Sequence, residues 1–207
     1  MSIDVNIFWT GGYDSTFRMV QLSTLQVTIQ PYYLPDNRQS EQNELEAIRS
    51  ITKDIVSNVK TRCIIKPLII LPTSKVEPDD EITKAYNDLR SKIVIGSQYD
   101  WLARFAKSVP GIELCIHLDD KAYDAINKYG EVKLIKETES ISYFIIDNEK
   151  SSKEINLLFG NMHLPLLEFS KLSMATEYKR LGYANTMSKT WFCFSPIDNK
   201  PCGVCNP

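Results

Sequence analysis

"NIFWTGGYDSTFRMVQL", residues 6–22, decides how the rest of the chain is read. Ile7, Phe8 and Trp9 form an apolar run that fits a buried strand. Phe17, Met19, Val20 and Leu22 fit the buried side of a short helix. Between the two runs Gly11 and Gly12 sit side by side. Adjacent glycines are costly inside a strand or a helix, so they mark a tight connection. A strand, a glycine turn and a helix opening with Asp14, Ser15 and Thr16 make an anion cradle. The free N–H groups of the first helical turn converge on one spot, and the helix dipole favours negative charge there. The competing reading is a purely structural turn with Asp14 or Ser15 as the helix N-cap.

The run is neither of two common phosphate loops. Gly-x-x-x-x-Gly-Lys is absent, and so is the Gly-x-Gly-x-x-Gly of dinucleotide folds. Thr10-Gly11-Gly12-Tyr13-Asp14-Ser15-Thr16 resembles instead the pyrophosphate-binding loop of the PP-loop ATP pyrophosphatases, whose usual form is Ser-Gly-Gly-x-Asp-Ser. Thr10 replaces the first serine and keeps its hydroxyl.

Bulk properties set the frame. At 207 residues, 43% of them apolar, the chain can bury a full core, and one main domain is the default. A net charge of -2 provides no global field for nucleic acid or an anionic membrane. No apolar run approaches the ~20 residues needed to span a bilayer. The N-terminus enters a strand at once, unlike a signal peptide. Five cysteines, an odd number, do not suit a secreted disulfide framework. The expectation is a soluble, cytoplasmic protein.

Strand and helix patterns alternate along the chain. Residues 26–34 and 63–71 read as strands, the second with Pro67 at an edge or bulge. Residues 40–59 read as a helix that Ser40 can cap, with Leu45, Ile48, Ile51 and Ile55 on one face. Residues 79–93 and 97–109 form two helices broken at Gly96, 112–118 a fourth strand, and 120–130 a helix ended by Gly130. Residues 131–160 read as strand, polar turn and strand, with Asp147–Lys153 at the tip, and are taken as a hairpin-like insertion. Residues 170–184 are the last long helix. This alternation predicts an α/β fold, a parallel sheet with helices on both faces. Ligands of such sheets sit beyond the carboxyl ends of the strands, where the 10–16 loop lies. The expected organisation is a nucleotide-binding domain over 1–189 and a cysteine-rich tail over 190–207.

In that tail Cys193, Cys202 and Cys205 are spaced Cys-x8-Cys-x2-Cys. Thiolates at that spacing can converge on one tetrahedral zinc ion. A disulfide or idle thiols are the alternatives. A fourth ligand is expected from a continuation past Pro207, from His117 or His163, or from water. Cys63 and Cys115 lie in apolar strands and read as buried packing residues.

The glycine loop, this cysteine tail and the mid-chain Ile-Gly-Ser-Gln together resemble the 7-cyano-7-deazaguanine synthases, the zinc-containing PP-loop enzymes of queuosine precursor synthesis. The fold this implies is of the adenine nucleotide α-hydrolase type. The cofactors implied are ATP, Mg²⁺ and Zn²⁺, and the partners a small-molecule carboxylate and ammonia. A homodimer is a candidate assembly. Arg38 matches a basic residue near the family's nucleotide. Gly96 and Ser97 match a nucleotide-side stretch, with Ser97 in place of the usual arginine, and Lys171 matches the lysine facing the triphosphate. Asp14, Ser15 and Lys171 are the implied catalytic residues, Asp14 as a magnesium or loop-ordering residue. One departure is large: the family's deazaguanine-gripping segment after the fourth strand is replaced by "HLDDKAYDAINKYG", residues 117–130. Trp101, Asp119 and Tyr123 are the candidates for a new acceptor pocket. The alternatives are a different acceptor, on a protein or nucleic acid, and a non-catalytic nucleotide-binding module.

Overall fold

The computed structural model describes residues 3–205. Along the chain run β1 (Ile3–Phe8), α1 (Tyr13–Ser23), β2 (Val27–Tyr33), α2 (Glu41–Ser57), β3 (Ile64–Ile65), β4 (Ile69–Ile70), α3 (Asp80–Arg90) and α4 (Gln98–Ser108). They are followed by β5 (Ile112–Glu113), α5 (Lys121–Tyr129), β6 (Val132–Lys136), β7 (Ser142–Ile146), α6 (Lys153–Phe159), β8 (Met162–His163), α7 (Lys171–Leu181) and α8 (Ala184–Met187). Two compact units result, Met1–Ser74 with Leu172–Pro207, and Lys75–Lys171. Among the described residues no helix is long and apolar enough to cross a membrane.

In the first unit β1 pairs in parallel with β2 from Ile3↔Val27 to Phe8↔Tyr32. β3 and β4 both pair in parallel with β2. The break between these two short strands falls at Pro67, which has no N–H to give to a ladder; the single strand expected over 63–71 is thus two fragments. Phe17, Met19, Val20 and Leu22 of α1 are fully buried. At about 1.5–3 kcal/mol for each such side chain, this packing outweighs the ~1 kcal/mol a side-chain cap contributes. The helix accordingly starts without one: Gly12 is the N-cap, not Asp14 or Ser15. Ser40 holds the N-cap position of α2 but makes no capping bond. Its hydroxyl donates instead to Glu44 Oε1 at 2.6 Å. The helix expected over 170–184 divides at Gly182, whose φ of 87° ends α7 before α8 begins.

The second unit is also α/β. β5 pairs in parallel with β8, and β6 pairs with β7 in an antiparallel hairpin from Val132↔Ile146 to Lys136↔Ser142. The strand expected over 112–118 stops at Glu113. After it the Leu114 N–H still reaches the His163 carbonyl, but the Ile116 N–H turns back to Leu114 and the Leu118 N–H pairs with Phe169. The hairpin tip lies at 137–141, not at Asp147–Lys153. Residues 153–159 are helical because Ser152 accepts from the Ile155 N–H and Ile155, Leu158 and Phe159 bury one face. Gly130 does close α5. Cys63 and Cys115 are only partly buried, outside the strands expected to contain them.

Candidate functional site

The glycine loop is shaped by its floor. Gly11 has φ 71°, a conformation costing an L residue roughly 1–2 kcal/mol. A Cβ there would stand 3.0 Å from the Glu44 carbonyl and 3.2 Å from Ile48 Cγ1, both on α2. Backbone conformation and close packing therefore each demand glycine. Gly12 brings no side chain to the opening turn of α1, and its carbonyl receives the Thr16 N–H at 3.1 Å.

The loop side chains divide by role. Thr10 is exposed, and Tyr13 and Asp14 are half-buried. Tyr13 stacks edge-on against Tyr178, 6.0 Å between centroids. Burial and the Tyr178 hydroxyl push the Tyr13 phenol far above its usual range, so it stays neutral. Ser15 is 9% exposed, and among the described residues its Oγ has no hydrogen-bond partner. A buried hydroxyl without a partner costs roughly 1–3 kcal/mol, and on the first turn of a helix an anionic oxygen would satisfy it. Thr16, the third residue of the expected cradle, is fully buried, and its hydroxyl accepts the Trp9 indole N–H at 3.0 Å.

Arg38 is already engaged. Its Nε and Nη2 bind the two Asp36 carboxylate oxygens at 2.6 and 2.9 Å, and Nη1 lies 3.7 Å from Glu44 Oε1. This fork holds the Asp36 carboxyl below its ordinary range. The guanidinium also sits 5.8 Å over the Phe194 ring. Sequence reasoning missed Glu44, a buried carboxylate bound by the hydroxyls of Tyr33 at 2.7 Å and Ser40 at 2.6 Å. Its link to Ser40 is local, one helical turn upstream, but spacing does not show its burial or its bond to Tyr33 of β2.

The cysteine tail folds by turn chemistry. Asp198 and Asn199 have φ of 49° and 59°, and Ile197 and Lys200 exchange backbone bonds at 3.0 and 2.9 Å. Two consecutive residues of positive φ are what a two-residue hairpin turn needs. The turn brings Cys202 back to the buried Cys193, with the Cys202 N–H 3.2 Å from Cys193 Sγ. Gly203, at φ 78°, curls the chain so that the N–H groups of Val204 and Cys205 both point at Cys202 Sγ, at 3.5 Å. Those two donors lower the Cys202 thiol to about 7, while burial raises that of Cys193. All three sulfurs lie within 4.8 Å of one another. Tetrahedral ligands about 2.3 Å from a zinc ion stand about 3.8 Å apart, so the cluster fits a metal. Among the described residues no fourth ligand joins it. A ligand past Cys205 would lie outside the described residues.

The remaining expected residues belong to the second unit. Ser97 is exposed at the N-cap of α4 without a capping bond, and Gly96 is half-buried beside the Gln98 side chain. Lys171 opens α7 with its side chain exposed and its backbone N–H donating to Asp119 Oδ2 at 3.1 Å. Of the acceptor candidates, Tyr123 lines a cavity of about 330 Å³ with Phe144, Leu167, Glu131 and Glu168; Trp101 and Asp119 do not. Asp119 N–H donates to His117 Nδ1 at 3.1 Å, which makes that nitrogen an acceptor.

Compared with protein-family models the chain matches none, and no curated protein matches it.

Proposed function

We propose that the chain is an ATP-dependent adenylating ligase of the 7-cyano-7-deazaguanine synthase type, with zinc at its cysteine cluster. The observation that carries this reading is the buried Ser15 hydroxyl, without a hydrogen-bond partner among the described residues, on the first turn of α1 behind a left-handed Gly11 clamped by α2. In this reaction a substrate carboxylate attacks the α-phosphate of ATP, pyrophosphate leaves, and ammonia displaces AMP to form an amide. In a second round the amide oxygen attacks the α-phosphate, pyrophosphate leaves, and loss of AMP with that oxygen and the two amide protons gives the nitrile. The chain's task is to neutralise charge on the departing pyrophosphate, through the loop amides and the Ser15 hydroxyl. Asp14 is the carboxylate that would hold magnesium, which would supply further charge neutralisation for the phosphates. With no Cys or His in the loop, no covalent intermediate is invoked.

A second reading keeps the adenylation and changes the acceptor. It is favoured by the early end of β5 and by the cavity at Tyr123, whose two carboxylates suit a ligand carrying hydrogen-bond donors or positive charge. Pyrophosphate release with ATP, ammonia and a panel of carboxylates, 7-carboxy-7-deazaguanine among them, tests both. Ser15→Ala should lower release on the order of 100-fold, with a thermal midpoint no lower than wild type, because the unpaired hydroxyl is removed. Full turnover in Ser15→Ala would remove the loop from the mechanism. Efficient nitrile formation from the deazaguanine acid would rule out the second reading, and activity only on another carboxylate would select it.

A further inference from the structure

The cysteine cluster and the glycine loop meet at Trp191. Trp191 donates its backbone N–H to the Gly11 carbonyl at 3.0 Å. Its indole Nε1 donates to the Cys193 carbonyl at 2.7 Å. Its own carbonyl lies 3.7 Å from the point where a Cβ on Gly12 would stand. The Gly11 carbonyl and the Gly12 N–H belong to one peptide plane. Because that bond is trans, the two groups point in opposite directions. Anchoring the carbonyl on Trp191 therefore fixes where the Gly12 N–H points. A peptide between two glycines has little else to hold it, since glycine accepts either sign of φ at similar cost. Inverted, it would turn a carbonyl dipole toward the side where an anion cradle needs a donor.

The anchor depends in turn on the tail. Beyond Cys193 the tail exposes Phe194, Ile197 and Val204 and contributes almost nothing to the apolar core. Segments this small rarely hold a fixed shape without a disulfide or a metal. Apart from the Ile197–Lys200 turn, a long Asn43 Nδ2–Asn199 carbonyl bond of 3.5 Å and the Arg38–Phe194 contact, the bonds organising it run among the three cysteines.

We propose that Trp191 is a positioning residue for the anion loop, and that metal at Cys193, Cys202 and Cys205 keeps it in place, so that metal occupancy sets nucleotide affinity. The proposal rests on the nucleotide reading above. The link runs through one backbone hydrogen bond, not through any contact between metal and nucleotide.

The test starts from purified protein whose zinc content is measured by elemental analysis. Metal is stripped with 1,10-phenanthroline, the chelator is dialysed away, and zinc chloride is added back to half the sample. ATP affinity is measured by calorimetry with magnesium present, and hydrogen exchange is followed at residues 11–13. Stripping should weaken ATP binding about tenfold, a typical coupling between linked sites, and speed exchange of the loop amides; reloading should reverse both. Trp191→Phe keeps the backbone donor and should bind ATP within about twofold of wild type. Trp191→Pro removes the donor and should lose as much affinity as stripping while retaining zinc. Equal ATP affinity and equal loop exchange with and without zinc would overturn the coupling and leave the nucleotide reading standing. Absence of ATP binding in every state would overturn that reading, and the coupling with it. Should Trp191→Pro fail to fold, the stripped and reloaded wild type decides the question alone.

Discussion

In the two compact units, residues that look alike in sequence are used differently. In the first, a glycine pair and three cysteines converge through backbone conformation: Gly11 at φ 71°, the positive-φ pair Asp198–Asn199, and Gly203 at φ 78°. Together they leave the Ser15 hydroxyl without a partner among the described residues and bring three sulfurs within reach of one ion. In the second, residues of equally suggestive type are spent on the fold itself. Asp119 accepts the opening N–H of α7, Asp120 caps α5 at Ala122, and His163 lies flat on Tyr143, 3.7 Å between centroids. A site is recognised by polar groups that the fold leaves unsatisfied. Residue type alone does not mark it.

The sharpest way to break this contrast is Gly11→Val. A β-branched residue in the left-handed region, with its Cβ against the Glu44 carbonyl, should cost about 3 kcal/mol in urea unfolding. A loss below about 1 kcal/mol would mean that α2 does not clamp the loop.

His163 offers the next largest effect. Burial lowers it from 6.5 to about 4, so the unfolded chain binds its proton more readily than the folded one. Its contribution is fully present above pH 6.5 and is lost as pH falls toward 4. The full shift corresponds to about 3 kcal/mol, and partial exposure of the ring reduces this to about 2 kcal/mol. Unfolding curves at pH 7 and 4.5 should therefore fall further apart for wild type than for His163→Phe. Equal separation would show that the ring keeps its ordinary affinity for protons.

The smallest effect belongs to Asp119→Ala, which removes the carboxylate receiving the Lys171 N–H. The expected loss is about 0.5–1 kcal/mol in urea unfolding. No measurable loss would free Asp119 from its structural role and return it to the acceptor candidates.

Legibility followed the range of the interactions. The β1–loop–α1 unit could be read locally because apolar periodicity and a glycine pair are properties of one short window. The cysteine trio was legible because thiol spacing limits where three sulfurs can meet. Errors fell where partners were distant. The apolar pattern of 112–118 does not show that β5 ends at Glu113. The local Ile116–Leu114 bond that turns the chain leaves no mark in residue type, and the Leu118 N–H finds its partner at Phe169, far along the chain. The helix at 153–159 looked like a strand because seven residues with three buried apolar positions fit either period, and Ser152 tips the balance through its cap. Lys171 could be placed at the start of a helix, but not its backbone bond to Asp119.

The sequence by itself determined the α/β class, the position of the glycine turn before α1 and the identity of the convergent thiols, since each rests on local periodicity, local conformational cost or ligand type. Only the tertiary structure decided which residues hold those features in place. Gly11 is fixed by α2 from below and by Trp191 at its carbonyl, Thr16 is consumed by Trp9, and Arg38 is committed to Asp36 and stacked over the Phe194 ring. The physical reason is the directionality of hydrogen bonds. Whether a donor or acceptor is left for a ligand depends on every group within about 3 Å of it, and most of those arrive from elsewhere in the chain.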